Sequence, residues 1–176
     1  MARCYWFTGL PGAGKTTLAT ALHERFAADG RASLLLDADA MRAGLNRDLG
    51  FSRADRQENV RRIAEVARLL VENDIDAIVA SISPYRADRL AARALFAEGG
   101  FVEIFVSTAI DTCVARDPKG LYALARAGTL RGLSGWDDPY QAPEAAELVI
   151  DTATCGVAAA LARIAARADD SIGLDG

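Results

Sequence analysis

Apolar positions along this chain follow two alternating rhythms. Residues 4–8, 32–36, 77–82, 101–106 and 147–151 are short, nearly continuous apolar runs. Such runs read as strands covered on both faces. Between them apolar residues recur every three or four positions, which predicts helices over 17–26, 53–72, 85–98, 111–116 and 157–167. In the longest, Val60, Ile63, Ala64, Ala67, Leu70 and Val71 form one face. Repeated strand–helix units of this length imply an α/β fold: a five-stranded parallel sheet with helices on both faces. Residues 117–143 break the rhythm with a glycine-rich, turn-prone excursion, and loops this long in compact folds are often active-site lids. A purely structural loop is the plainer reading. One domain is expected over 1–168, and the polar tail 169–176 is expected to fray.

Composition narrows the partners only a little. The 176 residues suffice for one proper core, and 51% apolar with 25% charged residues is ordinary for a soluble protein. A net charge of −4 argues against nucleic acid as the main partner. The three cysteines Cys4, Cys113 and Cys155 are far apart and odd in number, which suits a reducing compartment. The first strand begins close to Met1, so no signal peptide is expected, and no apolar run reaches the roughly 20 residues of a membrane span. A cytoplasmic location follows as the expectation.

The chemistry is concentrated at strand ends. Gly9-Leu10-Pro11-Gly12-Ala13-Gly14-Lys15-Thr16 satisfies the phosphate-loop pattern G-x-x-x-x-G-K-[ST], with a strand before it and a helix behind it. That context lets backbone N–H groups at a helix N-terminus converge on a polyphosphate. Lys15 would reach the β- and γ-phosphates of a nucleoside triphosphate, and the Thr16 hydroxyl would hold Mg²⁺. The second strand ends in Asp37-Ala38-Asp39. Two acids beside the phosphate loop suit a Mg²⁺-linked role for one and hydroxyl activation by the other; a helix cap plus a surface acid is the bland alternative. The third strand ends Ala80-Ser81-Ile82-Ser83 without an acid, so the metal-supporting Asp of many phosphate-loop ATPases is missing there. Arg56, Asn59 and Arg62 share a helix side that could face an anionic acceptor or merely pair with Glu58 and Glu65. Lys119, in the excursion, could be carried onto the reacting phosphates. His23, Cys4 and Trp6 read as structural.

Together these segments resemble the adenylylsulfate kinase (adenosine 5′-phosphosulfate kinase) family from Trp6 to about Thr152. The markers are Gly9 to Thr17, Leu36-Asp37-Ala38-Asp39 with Arg42, and the stretch from Gly44 to Phe51. Arg56, Glu58-Asn59-Val60-Arg61-Arg62 and Ile82-Ser83-Pro84-Tyr85-Arg86 continue them. Residues 116–122 and 137–143 complete the set. The resemblance implies transfer of the ATP γ-phosphate to the ribose 3′-hydroxyl of adenylylsulfate, with Mg²⁺ required. It implies ATP binding by Gly9, Gly12, Ala13, Gly14, Lys15, Thr16, Thr17 and Arg116. Asp39 looks like the hydroxyl-activating residue and Asp37 like a partner of Mg²⁺ through water. Arg42, Arg56 and Asn59 would hold the acceptor, Phe51 would stack on its adenine, and Ile82, Ser83, Leu121 and Leu133 would line its site. Lys119 would close with the lid. In some members the serine matching Ser83 has been considered a phosphorylated residue; direct in-line transfer is expected here. A homodimer is the implied assembly.

The sequence departs from the family pattern at Leu133, where Phe is usual and covers the second face of the adenine. Losing a base–aromatic stack costs about 1–3 kcal/mol. Trp136 nearby is a candidate substitute. Ala38, Pro11 and Gln141 replace Gly, Ser and Glu without removing a chemical group needed at the site. Leu133 keeps open a kinase for a different small nucleotide, such as cytidine diphosphoramidate. A low-turnover nucleotide-binding regulatory subunit is the reading from another class, disfavoured by Lys15, Asp37, Asp39, Arg42 and Lys119 together.

Overall fold

The computed structural model describes residues 1–170; residues 171–176 of the expected frayed tail lie outside the described residues. In chain order the elements are β1 (Cys4–Gly9), α1 (Lys15–Ala28), β2 (Ser33–Asp37), α2 (Ala38–Ala43), α3 (Arg53–Glu72), β3 (Asp76–Ala80), α4 (Arg86–Arg93), β4 (Phe101–Val106), α5 (Ile110–Arg116), α6 (Leu121–Arg126), β5 (Leu148–Ile150) and α7 (Val157–Asp170). The five strands are ordered β2-β3-β1-β4-β5, and every pairing is parallel. Cys4 of β1 registers with Ala77 on one side and Phe101 on the other.

The apolar runs are continuous because helices cover both sheet faces. Tyr5 and Phe7 point to a core built with Leu18, Leu22 and Phe26 of α1 and Ile164 of α7. Cys4 and Trp6, offset by one residue, point to a second core with Val60, Ile63 and Ala67 of α3 and Ala92 of α4. This is the two-residue alternation of a strand, applied to a central strand with no wet side.

Several boundaries differ from those expected. β3 stops at Ala80, and the chain through Ile82 and Ser83 is irregular. The helix expected over 85–98 ends at Arg93, and the closing helix expected over 157–167 runs on to Asp170. The short helix α2 was not foreseen, because six residues with no buried face carry no apolar period. The segment 117–143 contains α6 and is packed down: Tyr122 and Leu133 lie in the first core.

One charged pair is buried within this frame. Glu103 stands in the middle of β4 and accepts from Arg89 Nε at 2.6 Å, with both side chains under 10% exposed. Arg89 also donates to the Ser83 carbonyl at 2.6 Å and the Gln141 carbonyl at 2.7 Å. Arg93 extends the network to Glu147 at 2.6 Å. All the charges are hydrogen-bonded, which is the condition for burying them.

Candidate active site

The carboxyl ends of β1, β2 and β3 meet α1, the irregular 81–84 segment and the 117–143 segment around a cavity of about 700 Å³. Its floor is the turn between β1 and α1. Gly9 lies so close to β4 that a Cβ there would be 2.5 Å from the Val106 carbonyl oxygen, so only glycine fits. Gly14, at φ 103°, turns the chain into α1, and no side chain caps that helix. The first N–H groups of α1 therefore remain available to an anion.

Lys15 folds back over the turn and donates Nζ to the Leu10 carbonyl at 2.8 Å. Burial pulls its ammonium down to about 8, because the charged form loses hydration and finds no full counter-charge. Thr16 Oγ1 donates to Asp37 Oδ2 at 2.9 Å, while Asp37 Oδ1 accepts from the Asp39 N–H at 2.9 Å and caps α2. Asp37 is thus both a helix cap and a partner of the phosphate loop. Asp39 is exposed and forms an ion pair with Lys119 of the 117–143 segment.

A second wall gathers aromatic and cationic groups. Arg42 donates to the Leu49 and Gly50 carbonyls and stacks on Phe51 at 4.4 Å, while Phe51 itself is 67% exposed. Arg56 is buried and donates Nε to the Phe51 carbonyl at 3.0 Å and Nη1 to Ser134 Oγ at 3.2 Å. Asn59, one turn further along α3, also lines the cavity. Arg62 does not join them: on the surface it pairs with Glu58, as the bland alternative expected, and with Asp48, while Glu65 pairs with Arg68 instead.

Ile82 and Ser83 reach the cavity as expected, and each is held from below. Thr8 Oγ1 donates to the Ile82 carbonyl at 2.7 Å. Ser83 Oγ accepts from Trp6 Nε1 at 3.0 Å and donates to the Ser81 carbonyl at 3.3 Å, with the Ser83 backbone at φ 38°. Ser83 is only 2% exposed, so its hydroxyl is committed to internal bonds. Trp6 therefore does more than pack, and its indole donor was not legible from a strand pattern.

Of the other expected residues, Gly12, Thr17, Arg116, Leu121 and Leu133 line the cavity. Gly9 and Ala13 stand behind the turn, where the Ala13 carbonyl accepts from Thr108 and Thr152. Trp136 stands outside the cavity, edge-on to Tyr122 at 6.0 Å, and leaves the wall to Leu133. Thr152 escaped the sequence reading: Arg116 donates to its hydroxyl at 2.7 Å, and the two form a wall beside Cys155 and Val157. Only its position at a strand end could have singled it out.

Among the described residues no cluster of three His, Cys, Asp or Glu side chains could enclose a metal. The paired oxygens of Thr16 and Asp37 instead suit a hard cation held mainly by phosphates and water, which is how Mg²⁺ binds. Among the described residues no helix is long and apolar enough to cross a membrane. The arrangement offers a polyphosphate cradle, a strand-end carboxylate above it and a cationic–aromatic wall beside it. Those are the parts of a phosphoryl transfer from a nucleotide to an anionic acceptor.

Comparison with known proteins gives the same picture. The sequence profile described as adenylylsulphate kinase matches residues 1–151. The adenylyl-sulfate kinase of Geotalea uraniireducens (strain Rf4) is 55% identical over 159 residues, covering 90% of this chain and 76% of that protein. The bifunctional enzyme NodQ of Azospirillum brasilense is 54% identical over 147 residues, 84% of this chain; the match spans only 24% of NodQ. The structure of the Mycobacterium tuberculosis APS kinase CysC in complex with AMPPNP and APS superposes with a TM-score of 0.91 and 39% identity, covering 96% of this chain and 98% of that one.

Proposed function

This chain belongs to the adenylylsulphate kinase family, and on that premise we propose that it transfers the γ-phosphoryl group of ATP to the ribose 3′-hydroxyl of adenosine 5′-phosphosulfate. The products are ADP and 3′-phosphoadenosine 5′-phosphosulfate. ATP lies with its phosphates over the N-terminus of α1, against Lys15 and Thr16, and its base toward Arg116 and Thr152. The acceptor lies against Phe51, Arg42, Arg56, Asn59 and the 82–83 backbone, with Leu121 and Leu133 above it.

The observation that carries this reading is the ion pair of Asp39 and Lys119 across the cavity mouth. It brings the acid in the first turn of α2, just past β2, and the cation of the overlying segment together above the phosphate loop. When both substrates are in place, Lys119 exchanges Asp39 for phosphate oxygens. Asp39 is then free to take the proton of the 3′-hydroxyl, whose oxygen forms the new bond to phosphorus as the bond to the ADP oxygen breaks. The 117–143 segment, already packed on the phosphate loop through the Tyr122 hydroxyl bond to the Pro11 carbonyl at 3.0 Å, excludes water as the competing acceptor. Thr16, and Asp37 through water, would hold Mg²⁺, which would supply neutralisation of charge on the transferring phosphates. Ser83, with its hydroxyl turned inward, supports the acceptor through its backbone and forms no phosphorylated intermediate.

A homodimer in the cytoplasm belongs to the same proposal. All three cysteines are unpaired, which suits a reducing compartment. Sedimentation at micromolar concentration tests the assembly.

A coupled ADP-release assay with Mg²⁺-ATP and a panel of adenylylsulfate, AMP and cytidine diphosphoramidate tests the reaction. Fast turnover with adenylylsulfate alone is expected. Strong activity on the cytidine compound instead would trace the acceptor change to Leu133, which forms the wall where an aromatic ring is usual. ATP binding without turnover on any of them would leave a nucleotide-binding subunit.

A further inference from the structure

Asn46 lies in the 44–52 segment between α2 and α3 and is wholly buried, yet it does not line the cavity. Its backbone is satisfied: the N–H donates to the Met41 carbonyl at 2.8 Å, and its own carbonyl accepts from the Leu49 N–H at 3.0 Å. Its side-chain Nδ2 donates to Asn59 Oδ1 at 3.0 Å. Among the described residues, Asn46 Oδ1 is the buried side-chain polar atom with no hydrogen-bond partner. A buried amide half satisfied in this way is costly, so its retention calls for a reason.

Pinning the 44–52 segment is not that reason. Arg42 already holds the Leu49 and Gly50 carbonyls, Arg56 the Phe51 carbonyl and Arg62 the Leu45 carbonyl. The bond that Asn46 alone supplies is the one to Asn59. With Asn59 Oδ1 occupied from behind, the Asn59 Nδ2 donor is left toward the cavity, beside Arg42 and Arg56. Reversing both amides would orphan a buried N–H donor, which is rarer in proteins than an orphaned carbonyl. It would also turn a carbonyl oxygen toward an anionic acceptor.

We infer that Asn46 is a positioning residue that fixes the amide polarity of Asn59, so that the acceptor wall presents a third donor to an anion between two guanidinium groups. The inference rests on the acceptor reading proposed above. Asn46 touches neither substrate nor the reacting atoms; it acts through Asn59.

Two variants test it in the intact chain. Asn46→Leu removes both the bond and the orphaned acceptor. Asn46→Asp can only accept, so it draws Asn59 Nδ2 backward and turns Asn59 Oδ1 outward. Steady-state kinetics against adenylylsulfate and ATP are read alongside thermal melting. Expected for both is an acceptor KM raised about tenfold, equal to about 1.4 kcal/mol, with the ATP KM unchanged. The Asn46→Leu melting temperature should change little, because the orphaned carbonyl is gone while Asn59 Oδ1 loses its donor. An unchanged acceptor KM in either folded variant overturns the inference, and so does failure of both to fold, which would make the pair structural. A wild-type enzyme with no activity on adenylylsulfate overturns the acceptor reading itself, a separate outcome.

Discussion

Lys15 carries a charge that its surroundings resist, and this has measurable consequences at the scale of one residue. Its ammonium sits at about 8 in the folded chain against 10.5 when solvated, so between these values the unfolded chain binds more protons. The cost of burying the charge is fully present below pH 8 and is relieved as pH rises toward 10.5. Stability should therefore gain from this residue across that window, and Lys15→Met should flatten the gain in urea titrations at successive pH values. Polyphosphate supplies the missing counter-charge and drives the ammonium back up. ATP binding above pH 8 should then take up a fraction of a proton, visible by calorimetry in two buffers of different ionisation enthalpy. Equal apparent enthalpies in both would mean that Lys15 stays charged without the nucleotide. Asp39 makes a different prediction: Asp39→Asn should leave ATP binding nearly intact while kcat falls at least about 10²-fold, the scale of lost general-base catalysis. Near-normal turnover would remove it from that role. Both residues stood out in the sequence because phosphate loops and strand-end acids have fixed places along a chain.

At the scale of elements, the irregular stretch after β3 depends on a strand two layers of logic away. Trp6 lies on β1, yet its indole N–H holds the Ser83 hydroxyl and so a backbone at φ 38°, a region that side-chain-bearing residues rarely adopt. Trp6→Phe keeps the apolar ring and loses the donor. The acceptor KM should rise several-fold with the ATP KM unchanged; a rise in both would mean a general loosening of β1. This link was hidden because strand periodicity reports which face a residue occupies, not which distant hydroxyl its polar edge meets. The sheet and its long helices were legible for the opposite reason: α3 repeats its apolar face over twenty residues, and buried parallel strands read as uninterrupted runs. α2 was not, since it starts from the Asp37 cap and buries nothing.

On the scale of the whole molecule, the buried Arg89–Glu103 pair joins α4, β4, the Ser83 turn and the Gln141 backbone in one network. Removing one partner strands the other in a dry interior. Glu103→Ala should cost about 3–5 kcal/mol in urea unfolding, and a loss below about 1 kcal/mol, the ceiling typical of a surface pair, would mean that water reaches Arg89. Nothing periodic announces such a pair: Glu103 interrupts an apolar run, and its partner is fourteen residues earlier on another element. The same non-local logic explains why the cavity's floor was foreseen and its second wall only partly. The strand order has a further consequence. β1 divides the sheet, with Asp37, Ile82 and Ser83 of the cavity lining following β2 and β3, and Arg116 and Thr152 following β4 and β5. β5 is three residues long and paired along one edge only. Heat or denaturant is expected to open the sheet there first, and a nucleotide seated against Arg116 and Thr152, as proposed above, would rivet that short seam. An enzyme starved of ATP would thus lose its grip on the donor while the acceptor wall still stood.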